Sequence, residues 1–130
     1  MESNALRNYA FILSVPNLAH SVRYFEDVLG FRTESRDGDN WQIVSRGDVR
    51  IMIGHNEDCV LPEEIGEHSY FAYLQVDDVD TLHDEIKRRG AIVRQPPADK
   101  PWGVREMAVA TPDGHRIMIG QRKRPEATAS

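Results

Sequence analysis

The sequence predicts an α+β fold of two tandem βαβββ modules, on three observations. The pentapeptide Arg50-Ile51-Met52-Ile53-Gly54 recurs unchanged as Arg116-Ile117-Met118-Ile119-Gly120, 66 residues later. Upstream of each copy, a strand leads into a capped helix: Val15 is followed by Pro16-Asn17-Leu18, and Val76 by Asp77-Asp78-Val79. Asn17 and Asp78 are equivalent helix caps, whose side-chain oxygens can accept from the first free N–H groups. After each helix come three segments of strand character separated by turn residues. An internal repeat of this length decides the fold before any single element does.

The first module spans 8–55. Its opening strand ends at Val15; Leu18, Val22, Phe25 and Leu29 then recur at helical spacing until Gly30 supplies a left-handed stop. Strands are expected at Phe31–Arg36, Trp41–Arg46 and Val49–His55, with Gly47-Asp48 joining the last two as a hairpin. Residues 56–69 form a linker containing Pro62, Gly66 and the acids Glu57, Asp58, Glu63, Glu64 and Glu67. The second module spans 70–121. Val79, Leu82 and Ile86 carry its helix to Gly90, while His83, Asp84, Lys87 and Arg88 fall mainly on the wet side. Its strands are expected at Ala91–Gln95, Val104–Thr111 and His115–Gln121, with a loop from Pro96 to Pro101 and a hairpin at Asp113-Gly114. The tail, 122–130, loses apolar periodicity and is expected to fray, its Arg122-Lys123-Arg124 run being a solvated end.

With 130 residues, the chain 1–130 has room for one ordinary domain. A hydrophobic share of 40% and a charged share of 28% describe a globular protein in water. Sixteen Lys and Arg against 21 Asp and Glu give a net charge of -5, which argues against a general nucleic-acid binder. Apolar runs such as Ala10 to Leu13 fall far short of the roughly 20 residues that cross a bilayer, so no membrane partner is expected. Met1 to Arg7 is polar and carries no secretory signal. A single cysteine, Cys59, makes no internal disulfide and suits a thiol-reducing compartment, so a cytoplasmic location is expected.

The motifs Val15-x-x-Leu18-x-x-Ser21-x-x-Tyr24-Phe25 with Leu29-Gly30-Phe31, and Thr111-Pro112-Asp113-Gly114-His115-x-Ile117, resemble the vicinal oxygen chelate superfamily. That superfamily includes glyoxalase I, extradiol dioxygenases, fosfomycin-resistance enzymes and bleomycin-resistance proteins. The resemblance implies that the mixed sheets of the two modules form a cup, with the helices on the outside and ligands or metal held in the cup. Metal-dependent members place His, Glu or Gln at four cup positions, where this chain has Ala10, Met52, Phe71 and Met118. A slip of one residue restores no ligand set, so no metal and no cofactor are expected. In character the chain is most similar to the bleomycin-resistance proteins, metal-free dimers that sequester a drug.

Because residues two apart share one face of a strand, Ile51, Ile53, Ile117 and Ile119 belong on the helix-packed side, with Met107 and Val109. The cup side then receives Arg50, Met52, Arg116 and Met118, with Ala10, Ile12 and Ser14 from the first strand, and Phe71, Tyr73 and Gln75 from the strand opening the second module. Glu106 and Ala108 also turn inward. An apolar floor with a few polar anchors suits an organic ligand, and methionine repacks readily around differing shapes. The candidate ligand-binding set is Ala10, Ile12, Arg50, Met52, Phe71, Tyr73, Gln75, Trp102, Glu106, Arg116 and Met118.

Each candidate also has a plainer explanation. Met52 and Met118 can fill a collapsed cup, Arg50 and Arg116 can pair with acids at the rim, and Trp102 can pack against the domain rather than close the mouth. Glu106 is the one candidate catalytic residue, as a general base, against a structural carboxylate. His55, Cys59 and His68 lack the paired spacing of a zinc site. His20, His83 and His115 are expected to be exposed.

The function expected is therefore that of a small-molecule binding or sequestering protein, a homodimer holding a cationic or aromatic organic compound. The alternative is an enzyme of lyase, isomerase or dioxygenase type, with a displaced metal site or metal-free acid-base chemistry at Glu106 and Tyr73. A third reading is an interaction module whose cup its own side chains fill. The repeat permits a cup completed within one chain or across a dimer.

Overall fold

The computed structural model describes residues 4, 6–62, 64 and 69–122. The first module comprises β1 (Phe11–Val15), α1 (Leu18–Arg23), β2 (Arg32–Asp37), β3 (Trp41–Arg46) and β4 (Val49–His55). The second comprises β5 (Tyr70–Gln75), α2 (Val79–Arg88), β6 (Ile92–Lys100), β7 (Val104–Ala110) and β8 (Arg116–Arg122). Each module builds one mixed four-stranded sheet of the same topology, in the orders β1-β4-β3-β2 and β5-β8-β7-β6. The opening strand runs parallel to the closing one, which places Ile12 beside Met52 and Tyr73 beside Met118. The parallel pairing is what the crossover through a helix allows, while the hairpins make the remaining pairs antiparallel.

The caps form as the repeat predicts. Asn17 Oδ1 accepts from the His20 N–H, and Asp78 Oδ1 from the Thr81 N–H. Gly30 and Gly90 end the helical segments at φ of +76° and +100°, a region that costs a side chain dearly and glycine little. The first helix is regular only to Arg23; Tyr24–Val28 continues as a wider turn, in which the Leu29 N–H reaches the Tyr24 carbonyl five residues back.

Strand alternation assigns the core. Leu13, Val15, Ile51 and Ile53 are buried, as are Met107, Val109, Ile117 and Ile119, and they join Phe25, Val79 and Ile86 in one cluster drawn from both modules. The modules are also tied by polar contacts. Tyr24 Oη donates to the Ala110 carbonyl at 2.7 Å and accepts from the Ile92 N–H at 3.0 Å, Ser21 Oγ donates to Asp113, and Arg46 pairs with Glu85.

Three sequence expectations are corrected. The segment from Pro96 to Lys100 is not a loop but the second half of β6, with Pro101 in the turn after it. Because β6 is an edge strand and its pairing skips Pro96 and Pro97, the missing N–H groups break no ladder bond. His115 is not exposed: it retains 6% of its surface, because the first module covers the turn that carries it. Its Nδ1 lies 3.1 Å from Thr111 Oγ1, and its ring meets Phe71 edge to face at 6.0 Å. His83 is half-buried rather than wet, and its Nε2 has no hydrogen-bond partner among the described residues. Among the described residues, no helix is long and apolar enough to cross a membrane.

Candidate functional site

The sheet faces turned away from the helices carry most of the candidate residues. On the second module, β5 and β8 set Tyr73 beside Met118, and Phe11, Tyr70, Phe71, Ala72, Tyr73 and Met118 line a recess of about 360 Å³. Among the described residues, Phe11 is the one lining residue from the first module. Next to it lies Glu106, on β7, with only 5% of its surface exposed. The Tyr73 hydroxyl donates to Glu106 Oε1 at 2.9 Å. This bond depends on Gly120, which faces Glu106 across the strands: a Cβ there would meet the Tyr73 phenol. Burial, followed by the hydrogen bond to Glu106 and its charge, raises the Tyr73 pKa above its usual value, so near neutral pH the phenol is a donor. A carboxylate floor under a half-exposed tyrosine can orient a cationic or hydrogen-bonding group.

On the first module the matching face is more open. Ile12 is 70% exposed beside half-buried Met52, and Ser14 is exposed. Ala10 lies just before β1 and is half-buried. Arg50 is held at the rim: its guanidinium lies 4.7 Å from the Tyr9 ring centroid and donates to Glu34 Oε1 and the Tyr9 carbonyl. Hydrogen bonds from Ser45 and then Arg50 hold the Glu34 carboxyl below its usual range. Arg116 lies 5.9 Å over the Tyr70 ring.

The structure thus brings Phe71, Tyr73, Glu106 and Met118 together, and sets Ile12 against Met52, while Arg50 and Trp102 stand apart. Trp102 is 66% exposed in the turn between β6 and β7. Gln75, at the end of β5, borders a different cleft between the modules. Phe71 sits at a register shift in β5 and meets Phe11 at 6.1 Å as well as His115, so its ring also serves the module junction. Sequence reasoning missed Tyr70, Phe11 and Gly120 as neighbours of the recess. Only Gly120 left a signal, as the glycine closing a repeated strand.

The four positions at which the resemblance implies metal ligands offer hydrocarbon at Ala10 and Phe71 and a thioether at Met52 and Met118. That donor set does not fit a divalent metal, which requires imidazole, carboxylate or thiolate. Among the described residues, no three His, Cys, Asp or Glu side chains come close enough to share an ion. His68, weighed with His55 and Cys59, lies outside the described residues.

The family model described as Glyoxalase/Bleomycin resistance protein/Dioxygenase superfamily matches residues 8–119. TioX from Micromonospora sp. ML1 superposes with a TM-score of 0.73 at 23% identity, covering 90% of this chain and 99% of its own. The bleomycin-binding protein of bleomycin-producing Streptomyces verticillus, solved with copper(II)-bleomycin, gives 0.67 at 25% identity, covering 92% and 98%. The bleomycin resistance determinant encoded on transposon Tn5 gives 0.75 at 21% identity, covering 92% and 100%. No curated protein matches the chain in sequence.

Proposed function

The chain belongs to the glyoxalase/bleomycin resistance protein/dioxygenase superfamily, and on that footing we propose that it sequesters a small organic molecule on the apolar faces of its sheets without making or breaking a bond. The observation that carries this reading is the character of those faces. Ile12 and Tyr73 are 70% and 51% exposed, and the thioethers Met52 and Met118 stand beside them. An exposed apolar face with a buried carboxylate at its floor is a surface prepared for an organic partner. The net charge of -5 and Glu106 favour a cationic or aromatic cationic ligand. Similarity to a bleomycin-binding protein agrees with a ligand of this kind. A homodimer covers both faces and encloses the ligand, since isologous pairing is the commonest way to bury such a surface. Free Cys59 agrees with a reducing, cytoplasmic setting.

The test is equilibrium dialysis against bleomycin, metal-free and copper-loaded, and against a panel of aromatic cations, with mass spectrometry of the recovered ligand and light scattering of the protein. Saturable binding with the ligand mass unchanged is expected from a dimer. No saturable binding by any of these compounds overturns the proposal, and a monomer at every concentration overturns the shared face. A second reading rests on the Tyr73–Glu106 hydrogen bond, which can serve metal-free acid-base chemistry. Product that accumulates with time, and stops in Glu106→Gln, favours that reading instead.

A further inference from the structure

The repeat makes a prediction that the structure breaks at one place. The caps Asn17 and Asp78 are 61 residues apart and the closing strands 66 apart, so Ser21 corresponds to Leu82, Tyr24 to Glu85 and His115 to Val49. Each helix should pack against the last hairpin of the other module in the same way. At α1 the junction is filled: Ser21 reaches Asp113, Tyr24 bridges Ala110 and Ile92, and His115 is buried beside Phe71. At α2, Glu85 and Val49 stand where Tyr24 and His115 stand at α1, and a cleft of about 390 Å³ remains.

Leu29, Phe31 and Val49 of the first module and Leu82, Ile117 and Ile119 of the second line this cleft. It lies on the helix-packed side of the sheets, behind the faces discussed above. Its volume falls in the range of small-molecule pockets, about 300 to 1,000 Å³. Among the described residues, two charged residues line its rim, Arg46 and Asp48, and the first is already paired. Arg46 Nη1 donates to the Leu29 carbonyl at 2.8 Å, and its two terminal nitrogens reach Glu85 at 3.2 Å each. An anionic ligand would have to break that pair and lie beside the Asp48 carboxylate, whereas an uncharged one need do neither. Gln75, at the end of β5, offers a polar contact at the same rim.

We propose that this cleft is a second binding site, for an uncharged aromatic molecule of one or two rings with a single polar substituent. The ligand occupies the space that Tyr24 and His115 fill at the pseudo-equivalent junction, and it bridges the two modules. The site is independent of the sequestering face: either can exist without the other.

The probe is 2-naphthol, titrated into the full chain carrying methyl-labelled Leu, Ile and Met and followed by NMR. Shifts at Leu82, Ile117 and Ile119 methyls are expected, with Met52 and Met118 methyls moving little. Val49→Phe fills the cleft from the hairpin and Leu82→Phe from the helix. Each is expected to weaken binding by about tenfold or more, whereas Met52→Glu/Met118→Glu leaves cleft binding within about twofold. Using both filling variants guards against one that fails to fold. No shift at the cleft methyls, or loss of those shifts only in the double methionine variant, overturns the proposal. Contacts from residues beyond 122 to the Leu82 and Ile117 methyls in the ligand-free protein would make the cleft a seat for the chain's own end and would overturn it as well.

Discussion

His115 illustrates how far a single residue can depart from its sequence context. A histidine in a hairpin turn is ordinarily wet, yet here the other module buries it, and burial lowers its pKa below the ordinary 6.5. Asp113 and then the Ser14 carbonyl pull the other way without reversing the shift. The folded state therefore holds its imidazole neutral where the unfolded chain begins to take up a proton. Below 6.5 the unfolded state binds more protons, so stability is full above that pH and is lost as pH falls towards the folded pKa. The thermal midpoint of the wild type should fall between about pH 7 and about pH 5, and His115→Asn should flatten that slope whatever it does to the midpoint itself. Equal slopes would mean that another group carries the acid sensitivity. The carboxyls of Glu34, Asp78 and Asp80, held low by hydrogen bonds, lose their contributions only at more acid pH. Nothing in the sequence marked His115 as buried, because its burial arises from the first module, whose Ser21 lies 92 residues before its partner Asp113 in the chain. The Tyr73–Glu106 pair, by contrast, was half legible: alternation turned both residues to one face, and only the bond between them needed coordinates.

At the scale of elements, periodicity carried most of the fold. Two capped helices, two hairpins and the faces of β4 and β8 follow from spacing alone, because a strand has only two sides and a one-residue slip exchanges them. Ile51 is wholly buried and its neighbour Met52 only half. Ile51→Ala should therefore cost about 2 to 5 kcal/mol in chemical denaturation, through lost burial and the cavity left behind. Met52→Ala should cost far less, and the reverse order would mean that the faces of β4 are exchanged. What periodicity did not reveal was the extent of β6, since Pro96 and Pro97 read as loop residues unless the strand is known to lie at an edge. Nor did it reveal the widening of the first helix after Arg23, where apolar spacing continues unbroken through Phe25 and Leu29.

At the scale of the molecule, the two modules share one core and are joined by a buried phenol. Tyr24 satisfies one acceptor and one donor of the second module, and burial raises its pKa, so it stays protonated. Tyr24→Phe leaves the Ala110 carbonyl and the Ile92 N–H without this partner and should lower unfolding stability by about 1 to 3 kcal/mol, read from denaturant midpoints. No change would mean that water replaces the hydroxyl at no cost. The opposite faces of the sheets carry Ile12, Met52 and Met118 and the Tyr73–Glu106 pair, the surface proposed for the ligand. Calorimetric titration of bleomycin into the wild type and into Met52→Glu/Met118→Glu tests that assignment most directly. Binding weakened by about tenfold or more, with the thermal midpoint nearly unchanged, is the result predicted; equal affinity in the two proteins would contradict it.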